Sequence, residues 1–160
     1  MSHNAIYPGT FDPITYGHIN ILEKAARQFD HTILAVADYT GKPTTFNLEE
    51  RYQLCLEATA HLENVSVKKF KGLAVDFAIS QGCSVMIRGL RAVSDFEYEL
   101  SLALTNTKLN PQIETVFLIP SLRYMYLSSS LIRQLADLGS CLKDFVPPCV
   151  ELALAQKYKS

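Results

Sequence analysis

Residues 4–18, NAIYPGTFDPITYGH, run from a predicted buried strand through a short loop into a predicted helix. The first of them, Asn4–Tyr7, are a candidate strand in which hydrophobic residues follow the initial asparagine. Two prolines and a glycine follow and favour a tight, ordered loop. After His18, apolar residues recur at the spacing of one helix face. The stretch therefore predicts a strand–loop–helix unit.

The same alternation of strands and helices continues along the chain. Several candidate strands are apolar at consecutive positions, as in parallel strands that are covered on both faces. The predicted strands are Asn4–Tyr7, Thr32–Ala37, Val65–Phe70, Ser84–Arg88 and Thr115–Ile119. Two of the helical patterns begin with capping-box spacings, at Asn47–Glu50 and Ser94–Glu97. We therefore predict an α/β fold, a single Rossmann-like domain over residues 1–160 with a doubly wound, five-stranded parallel sheet flanked by helices.

Composition excludes several classes of protein. The 160 residues are 48% hydrophobic and 19% charged, which indicates a globular chain and not a disordered or fibrous one. A net charge of −1 argues against a nucleic-acid partner or a polybasic membrane binder. No signal-peptide pattern is present, and the longest apolar runs are too short to cross a bilayer. The four cysteines are widely spaced, which disfavours a zinc or disulfide framework. We expect a cytoplasmic protein that recognises any anion locally.

The loop after the first strand carries the first candidate site. In a doubly wound sheet the ligand crevice lies at the carboxyl ends of the strands, where this loop begins. Thr10 offers a hydroxyl and a main-chain N–H there, and His18 falls in the first turn of the next helix. A positive charge on His18 would oppose the helix dipole. A bound phosphate would reverse that penalty, because the helix N–H groups and the imidazole would both donate to it. The alternative is a histidine that only caps a surface helix.

A second candidate site follows the fourth strand, in the sequence Arg88-Gly89-Leu90-Arg91. Two guanidinium groups around a glycine suit bidentate contacts to phosphate with close main-chain approach. The following helix carries an apolar stripe that must serve ordinary packing. On this helix only Glu99 and Asn106 stand out as candidate ligand contacts.

A third candidate site is the run of serines Ser128, Ser129 and Ser130, which opens an amphipathic helix. Three hydroxyls and the free N–H groups of a helix start form an anion site without net charge, whereas one serine alone would be an ordinary N-cap. Lys42 lies in a loop shaped by Gly41 and Pro43. Its ammonium either reaches a bound phosphate or is simply solvated.

The chain lacks the patterns of several other phosphate and hydrolase chemistries. It has no Walker-A loop and no Gly-x-Gly-x-x-Gly sequence, and no Ser-His-Asp or Cys-His arrangement points to a covalent nucleophile. Several phosphate ligands around one histidine instead favour direct in-line transfer between bound phosphates. In that chemistry, positioning and charge stabilisation provide most of the catalysis.

Four motifs in order resemble one known family. Thr15–His18 is similar to the T/H-x-G-H signature of the nucleotidyltransferase superfamily, and Leu127–Arg133 resembles its second signature, I-S-S-S/T-x-x-R. Within that superfamily, Tyr7–Pro13 and Ile87–Glu99 resemble the bacterial phosphopantetheine adenylyltransferase family. The likeness covers nearly the whole chain.

The resemblance implies a reaction and its partners. ATP and 4′-phosphopantetheine would give 3′-dephospho-coenzyme A and pyrophosphate, the penultimate step of coenzyme A synthesis. Mg²⁺ would be the cofactor, neutralising the triphosphate and the leaving pyrophosphate. The resemblance also implies a homohexamer and coenzyme A as a feedback inhibitor.

The resemblance also implies roles for individual residues. His18 would stabilise the charge that develops at the α-phosphate, with Lys42 and Arg88 as the other catalytic residues, and Thr10 would position the attacking phosphate. The implied ATP-binding residues are Thr10, Phe11, His18, Gly89, Leu90, Arg91, Glu99, Tyr124, Met125, Tyr126, Leu127, Ser128, Ser129 and Ser130. The implied phosphopantetheine-binding residues are Thr10, Lys42, Leu73, Ala74, Arg88, Leu102 and Asn106.

Two alternative functions remain open at this point. One keeps the superfamily and changes the acceptor to nicotinate mononucleotide or glycerol 3-phosphate, and the Arg88–Glu99 segment argues against it. The other is a nucleotide-binding sensor without catalysis. The presence of His18 together with Lys42 and Arg88 argues against a sensor, because a protein that only binds does not need a group aimed at the α-phosphate.

Overall fold

A computed structural model describes residues 3–92, 94 and 96–159. Its strands are β1 (Asn4–Gly9), β2 (His31–Ala37), β3 (Val65–Phe70), β4 (Val85–Gly89) and β5 (Glu114–Leu118). They form one sheet with the order β3-β2-β1-β4-β5, and every neighbouring pair is parallel. The predicted doubly wound, five-stranded parallel sheet is confirmed.

Within the described residues, six helices and one 3-10 turn (Leu122–Tyr124) connect and follow the strands. The helices are α1 (Tyr16–Gln28), α2 (Leu48–Ala58), α3 (Ala74–Ser80), α4 (Phe96–Leu109), α5 (Ser129–Asp137) and α6 (Pro148–Lys157). The capping box predicted at the start of α2 is confirmed, because Asn47 and Glu50 exchange two hydrogen bonds at 2.8 and 3.0 Å. The second predicted capping box includes Asp95, which lies outside the described residues. No helix in the described ranges has the length and hydrophobicity needed to cross a bilayer.

The two faces of the sheet carry separate layers of the core. Alternate residues of a strand point to opposite faces. In β1, Ala5 and Tyr7 pack in the larger core with α1, α2, α5 and α6, whereas Ile6 packs in a smaller core with α3. Met86 of β4 belongs to the smaller core, so Arg88, two residues later, lies on that same face of the sheet.

The strand order reverses between β1 and β4, which places the crevice there. Ile6 of β1 is aligned with Ile33 of β2 on one side and with Met86 of β4 on the other. The carboxyl ends of these strands therefore meet at one edge of the sheet. In doubly wound sheets, ligands bind at such a switch point.

Candidate active site

Two adjoining cavities occupy the switch point. The first, here called the His18 cavity, has a volume of about 230 Å³ and is lined by Tyr7, Pro8, Gly9, Thr10, Phe11, Gly17, His18, Ile21, Arg88, Gly89, Arg91, Glu99 and Ser129. The second, the serine cavity, has a volume of about 190 Å³ and is lined by Thr10, Asp12, Lys42, Arg91, Ser128, Ser129, Ser130 and Arg133. Thr10, Arg91 and Ser129 line both. The structure thus brings together the three candidate sites and the three residues expected to be catalytic.

His18 is held by the residue that caps its own helix. The side chain of Thr15 accepts a hydrogen bond from the His18 main-chain N–H at 3.4 Å. In return, the main-chain N–H of Thr15 donates to Nδ1 of His18 at 3.0 Å. Because Nδ1 accepts, the proton of a neutral imidazole is on Nε2. The ring therefore has a fixed orientation and one N–H donor, Nε2–H, that has no partner among the residues that the structure describes.

The surroundings of His18 keep its imidazole neutral. Burial, together with the positive charges of Arg91 and Arg88, lowers the pKa of His18 from 6.5 to about 3. A neutral imidazole carries no positive charge that would oppose the dipole of α1. Phe11 stands edge-on to the imidazole with 5.1 Å between ring centroids. The main chain of Phe11 has a φ of +52°, a left-handed conformation that is uncommon for a bulky residue.

Arg88 and Glu99 form a bidentate pair on the wall of the His18 cavity. Nε and Nη2 of Arg88 donate to the two carboxylate oxygens of Glu99 at 2.9 and 2.8 Å. Burial lowers the pKa of Arg88, but the hydrogen bonds and charge of Glu99 outweigh it, and the net pKa is raised. Glu99 was expected to contact ATP. In the structure both of its oxygens accept hydrogen bonds from Arg88, so its direct effect is to orient that guanidinium.

Arg91 links the segments that follow β4 and β5. Its Nη1 donates to the carbonyl of Leu127 at 2.6 Å. The Leu127 side chain is fully buried in the larger core, so only its main chain lies beside the site. The main-chain N–H of Leu90, which also follows β4, donates to the carbonyl of Leu118 at the end of β5 at 2.9 Å. Leu90 and Leu127 therefore shape the cleft through their main chains.

The three serines have different partners. Ser128 is the N-cap of α5, and its Oγ accepts the Leu131 N–H at 3.1 Å. The Ser129 hydroxyl donates to the carbonyl of Pro13 at 2.8 Å, and the Ser130 hydroxyl accepts from Nη2 of Arg133 at 3.2 Å. The main-chain N–H groups of Ser129 and Ser130 have no partner among the described residues. The start of α5 therefore offers main-chain donors to an anion, while the hydroxyls mostly hold the loop.

Lys42 stands on an exposed loop whose base is fixed. In the described part of the chain its ammonium has no hydrogen-bond or ion-pair partner, and the residue lines the serine cavity. The carboxylate of the buried Asp12 accepts the N–H groups of Thr45 and Phe46, both at 2.9 Å. The end of the loop is thus anchored to the segment after β1, while Lys42 itself stays free to contact a ligand.

Two of the predicted aromatic ligands lie apart from these cavities. Tyr124 and Tyr126 line a separate, open surface concavity together with Tyr16, Arg123, Lys143 and Asp144. The guanidinium of Arg123 stacks over the Tyr124 ring at 4.7 Å. None of Tyr124, Met125 and Tyr126 lines the His18 cavity or the serine cavity. The serine cavity is lined by Ser128, Ser129 and Ser130.

The four residues expected to line the pantetheine pocket are also outside both cavities. Leu73 is exposed at the N-cap of α3, and Ala74 packs against the smaller core. Asn106 of α4 lies 3.4 Å from the sulfur of Met86, and Leu102 is half-buried one helical turn before it. Ala74 and Asn106 therefore border the smaller core, on the face of the sheet that carries Arg88.

Sequence reasoning missed several residues of this site. Asp12 and Arg133 line the serine cavity, and Nη1 of Arg133 donates to the carbonyl of Asp12 at 2.7 Å. Both belong to motifs quoted above, so motif membership was a usable signal. Arg51 of α2 is buried and hydrogen-bonds the carbonyl of Thr10 at 2.9 Å. No pattern around Arg51 marks it.

The residues of the cleft do not form a metal site by themselves. No group of three or more His, Cys, Asp or Glu side chains in residues 3–92, 94 and 96–159 is arranged to hold a metal ion. The carboxylates that line the cavities, Asp12 and Glu99, already accept hydrogen bonds on both oxygens. Any cation would need its ligands mainly from a bound substrate.

The chain is similar to a protein-family model, to curated proteins and to a solved structure. A family described as cytidylyltransferase-like matches residues 6–135. A protein of Caldanaerobacter subterraneus subsp. tengcongensis named phosphopantetheine adenylyltransferase is 50% identical over 155 residues, 97% of each chain. One of Staphylococcus haemolyticus with the same name is 48% identical over 155 residues, 97% of this chain and 96% of that one. A crystal structure from Vibrio parahaemolyticus, provisionally named a nicotinate-nucleotide adenylyltransferase, has a TM-score of 0.71 over 97% of this chain and 99% of its own. At 14% identity, it supports the fold alone.

Proposed function

The chain belongs to the phosphopantetheine adenylyltransferases of the cytidylyltransferase-like family, and we propose that its cleft carries out adenylyl transfer as follows. It joins the adenylyl group of ATP to 4′-phosphopantetheine and releases 3′-dephospho-coenzyme A and pyrophosphate. A phosphate oxygen of phosphopantetheine forms a bond to the α-phosphorus of ATP, and the bond from that phosphorus to the pyrophosphate oxygen breaks. The observation that carries this proposal is a neutral, oriented His18 in one cavity with Arg88 and Arg91.

His18 acts as a hydrogen-bond donor to the reacting phosphate. Its free Nε2–H is directed by the bond from Thr15 to Nδ1, so the donor needs no reorientation during the reaction. A neutral donor does not have to lose a proton, and the reaction requires no general base because the attacking phosphate is already an anion. Charge that develops on the α-phosphate oxygens strengthens this hydrogen bond in the transition state.

Thr10 marks the position where the two substrates meet, because it lines both cavities. Arg88 approaches it from the His18 cavity and Lys42 from the serine cavity, and both hold the phosphate of phosphopantetheine. The main-chain N–H groups of Ser129 and Ser130, with Arg91, bind the triphosphate of ATP. Two cationic side chains on the acceptor phosphate reduce its repulsion from the triphosphate and hold it in line for attack.

The arm of phosphopantetheine extends along the face of the sheet that carries the smaller core. Arg88 lies on that face, and Asn106 contacts Met86 two residues before it in β4. Leu73, Ala74 and Leu102 border the same face and line the arm's path. Glu99 acts on this half of the site through Arg88.

Mg²⁺ is the cofactor that we propose for ATP. The cleft fits an ion carried by the nucleotide, because each oxygen of Asp12 and Glu99 already accepts a hydrogen bond and the described residues offer no metal cluster. When bound, the ion neutralises charge on the triphosphate and on the leaving pyrophosphate.

The homohexamer is a further proposal, supported by an exposed apolar stripe on α4. Phe96, Leu100 and Leu104 recur every four residues and are 55%, 42% and 64% exposed in the single chain. Such a stripe indicates a surface that another copy covers. Sedimentation of the purified protein measures the number of subunits. Inhibition by coenzyme A and a cytoplasmic location stay predictions.

Pyrophosphate release tests the activity directly. The protein is incubated with ATP, Mg²⁺ and 4′-phosphopantetheine, with nicotinate mononucleotide and glycerol 3-phosphate as parallel acceptors. Release with phosphopantetheine alone is the expected result. Release with one of the other acceptors would assign a different acceptor, and binding of ATP without release in any arm would make the protein a nucleotide sensor.

A further inference from the structure

Arg51 of α2 is a buried cation whose hydrogen-bond acceptors are main-chain carbonyls, although the charges of Asp12 and Asp38 also favour its charged form. It is 2% exposed, and among the described residues no carboxylate oxygen lies within 4 Å of its guanidinium. Its Nε donates to the carbonyl of Phe46 at 3.1 Å. Its Nη1 donates to the carbonyls of Thr10 at 2.9 Å and Ala37 at 2.8 Å. Burying a charged group has a cost in free energy, so a guanidinium that is buried against three carbonyls must provide something that offsets that cost.

The three carbonyls belong to the segments that carry the acceptor-phosphate ligands. Ala37 is the last residue of β2 and Phe46 immediately precedes the N-cap of α2, so the two bracket the loop that contains Lys42. Thr10 is the first residue after β1 and lines both cavities. One rigid, planar group therefore joins both ends of the Lys42 loop to the segment of Thr10.

We propose that Arg51 is a positioning residue that fixes Lys42 relative to Thr10 and so shapes the phosphopantetheine half of the site. This inference rests on the proposed function, because the roles of Lys42 and Thr10 do. The guanidinium suits the task because its donors diverge in one plane and reach three acceptors at once. A lysine ammonium in the same place is a compact charge and cannot span them.

The start of α2 does not depend on Arg51. The capping box of Asn47 and Glu50 closes the first turn, and Leu54 and Cys55 anchor the helix in the larger core. A change at Arg51 should therefore loosen the loop base before it disturbs the helix. That separation makes a positioning role measurable.

A double-mutant cycle with Lys42 tests the proposal. We expect Arg51→Lys to raise the KM for phosphopantetheine by about tenfold and the KM for ATP by less than about twofold. In the Lys42→Ala background, Arg51→Lys should change the phosphopantetheine KM by less than about twofold, because the group that it positions is gone. Arg51→Gln is measured alongside as a second variant.

Asn64 provides a matched control. Its Nδ2 donates to the carbonyls of Ala26, Phe29 and Asp30 at 2.8, 3.2 and 3.4 Å. Asn64 immediately precedes β3, so this cluster lies at the amino ends of the strands, away from the cleft. Asn64→Ala removes the same kind of clamp and should lower thermal stability without changing either KM.

Several outcomes would overturn the inference while leaving the proposed function intact. In the first, Arg51→Lys raises the KM for phosphopantetheine and the KM for ATP equally. In the second, the effects of Arg51→Lys and Lys42→Ala on the phosphopantetheine KM are fully additive. In the third, Asn64→Ala changes the phosphopantetheine KM as much as Arg51→Lys does. Loss of folding in both Arg51 variants would also overturn it, because Arg51 would then be required by the fold as a whole. Failure of the proposed function would appear separately, as a wild-type protein that releases no pyrophosphate with phosphopantetheine.

Discussion

The main-chain N–H of Thr15 lies 3.0 Å from Nδ1 of His18, and the Thr15 hydroxyl oxygen is 3.2 Å from the same atom. A helix cap thereby selects the tautomer of the histidine that faces the reacting phosphate. The sequence places these residues three positions apart, the spacing of a capping box, with His18 in the place usually taken by a glutamate. The same pair of hydrogen bonds between Thr15 and His18 therefore caps α1 and orients the imidazole.

Removal of the imidazole should slow turnover and leave nucleotide binding nearly intact. We expect His18→Ala to lower kcat by about 10²-fold or more, because a preorganised donor to the developing charge is lost. The Kd for ATP, measured by calorimetry, should change little. His61→Ala is the control, since His61 is exposed and lines neither cavity, and it should keep the wild-type kcat. Equal kcat in the two variants would contradict the role given to His18.

His18 should also make the protein less stable in mild acid. Its pKa is about 3 in the folded protein, below its value of 6.5 in the unfolded chain. Between these values the unfolded chain binds a proton that the folded protein does not. The contribution of neutral His18 is therefore complete above pH 6.5 and is lost as the pH falls toward 3. From pH 7 to pH 5 the wild type should lose up to about 2 kcal/mol more stability than His18→Ala. Urea unfolding at both pH values measures this, and parallel losses in the two proteins would refute it.

Glu99→Gln should weaken phosphopantetheine binding through Arg88. The substitution removes a charge and one acceptor from a bidentate pair whose side chains are only 26% and 11% exposed. We expect a loss of about 1–3 kcal/mol in stability. Relative to wild type, the KM for phosphopantetheine should rise more than the KM for ATP. Steady-state kinetics and urea unfolding provide both measurements.

A surface pair supplies the comparison for Glu99. Glu49 binds Lys69 at 2.8 Å with both side chains well exposed, so Glu49→Gln should leave stability and both KM values close to wild type. If Glu99→Gln raised the two KM values equally, the pair would serve ATP as well as the acceptor.

The strands could be predicted because consecutive apolar residues mark a parallel sheet that is buried on both faces. The ends were harder to predict, as β1 shows. The sequence stops that strand at Tyr7 because a proline follows, yet the structure continues it through Pro8 to Gly9. Beyond Ile6, β1 is paired with β2 alone, so this part of the strand needs fewer main-chain donors.

The electrostatics of the site could not be predicted from local sequence. The neutral state of His18 depends on burial and on Arg88 and Arg91, which are about 70 residues away in the chain. Arg51 was missed because its acceptors are carbonyl groups, which every residue has. Tyr124 and Tyr126 were grouped with the serines because they are near in sequence, and the tertiary fold instead places them in another concavity.

Two glycines of the His18 cavity should respond differently to alanine. A Cβ on Gly17 would lie 3.4 Å from the Thr15 hydroxyl oxygen and 3.6 Å from Cβ of Leu127, which are ordinary contacts. A Cβ on Gly9 would lie 2.9 Å from the Phe11 ring, which stands edge-on to His18. Gly17→Ala should therefore keep or raise stability, by up to about 1 kcal/mol, and raise the KM for ATP, because the added methyl group would enter the His18 cavity. Gly9→Ala should lower stability by about 1–3 kcal/mol and lower kcat, because Phe11 must move.

Urea unfolding and steady-state kinetics of both variants test these expectations. A loss of stability in Gly17→Ala as large as that in Gly9→Ala would contradict them. It would show that packing, and not the approach of a ligand, requires glycine at both positions.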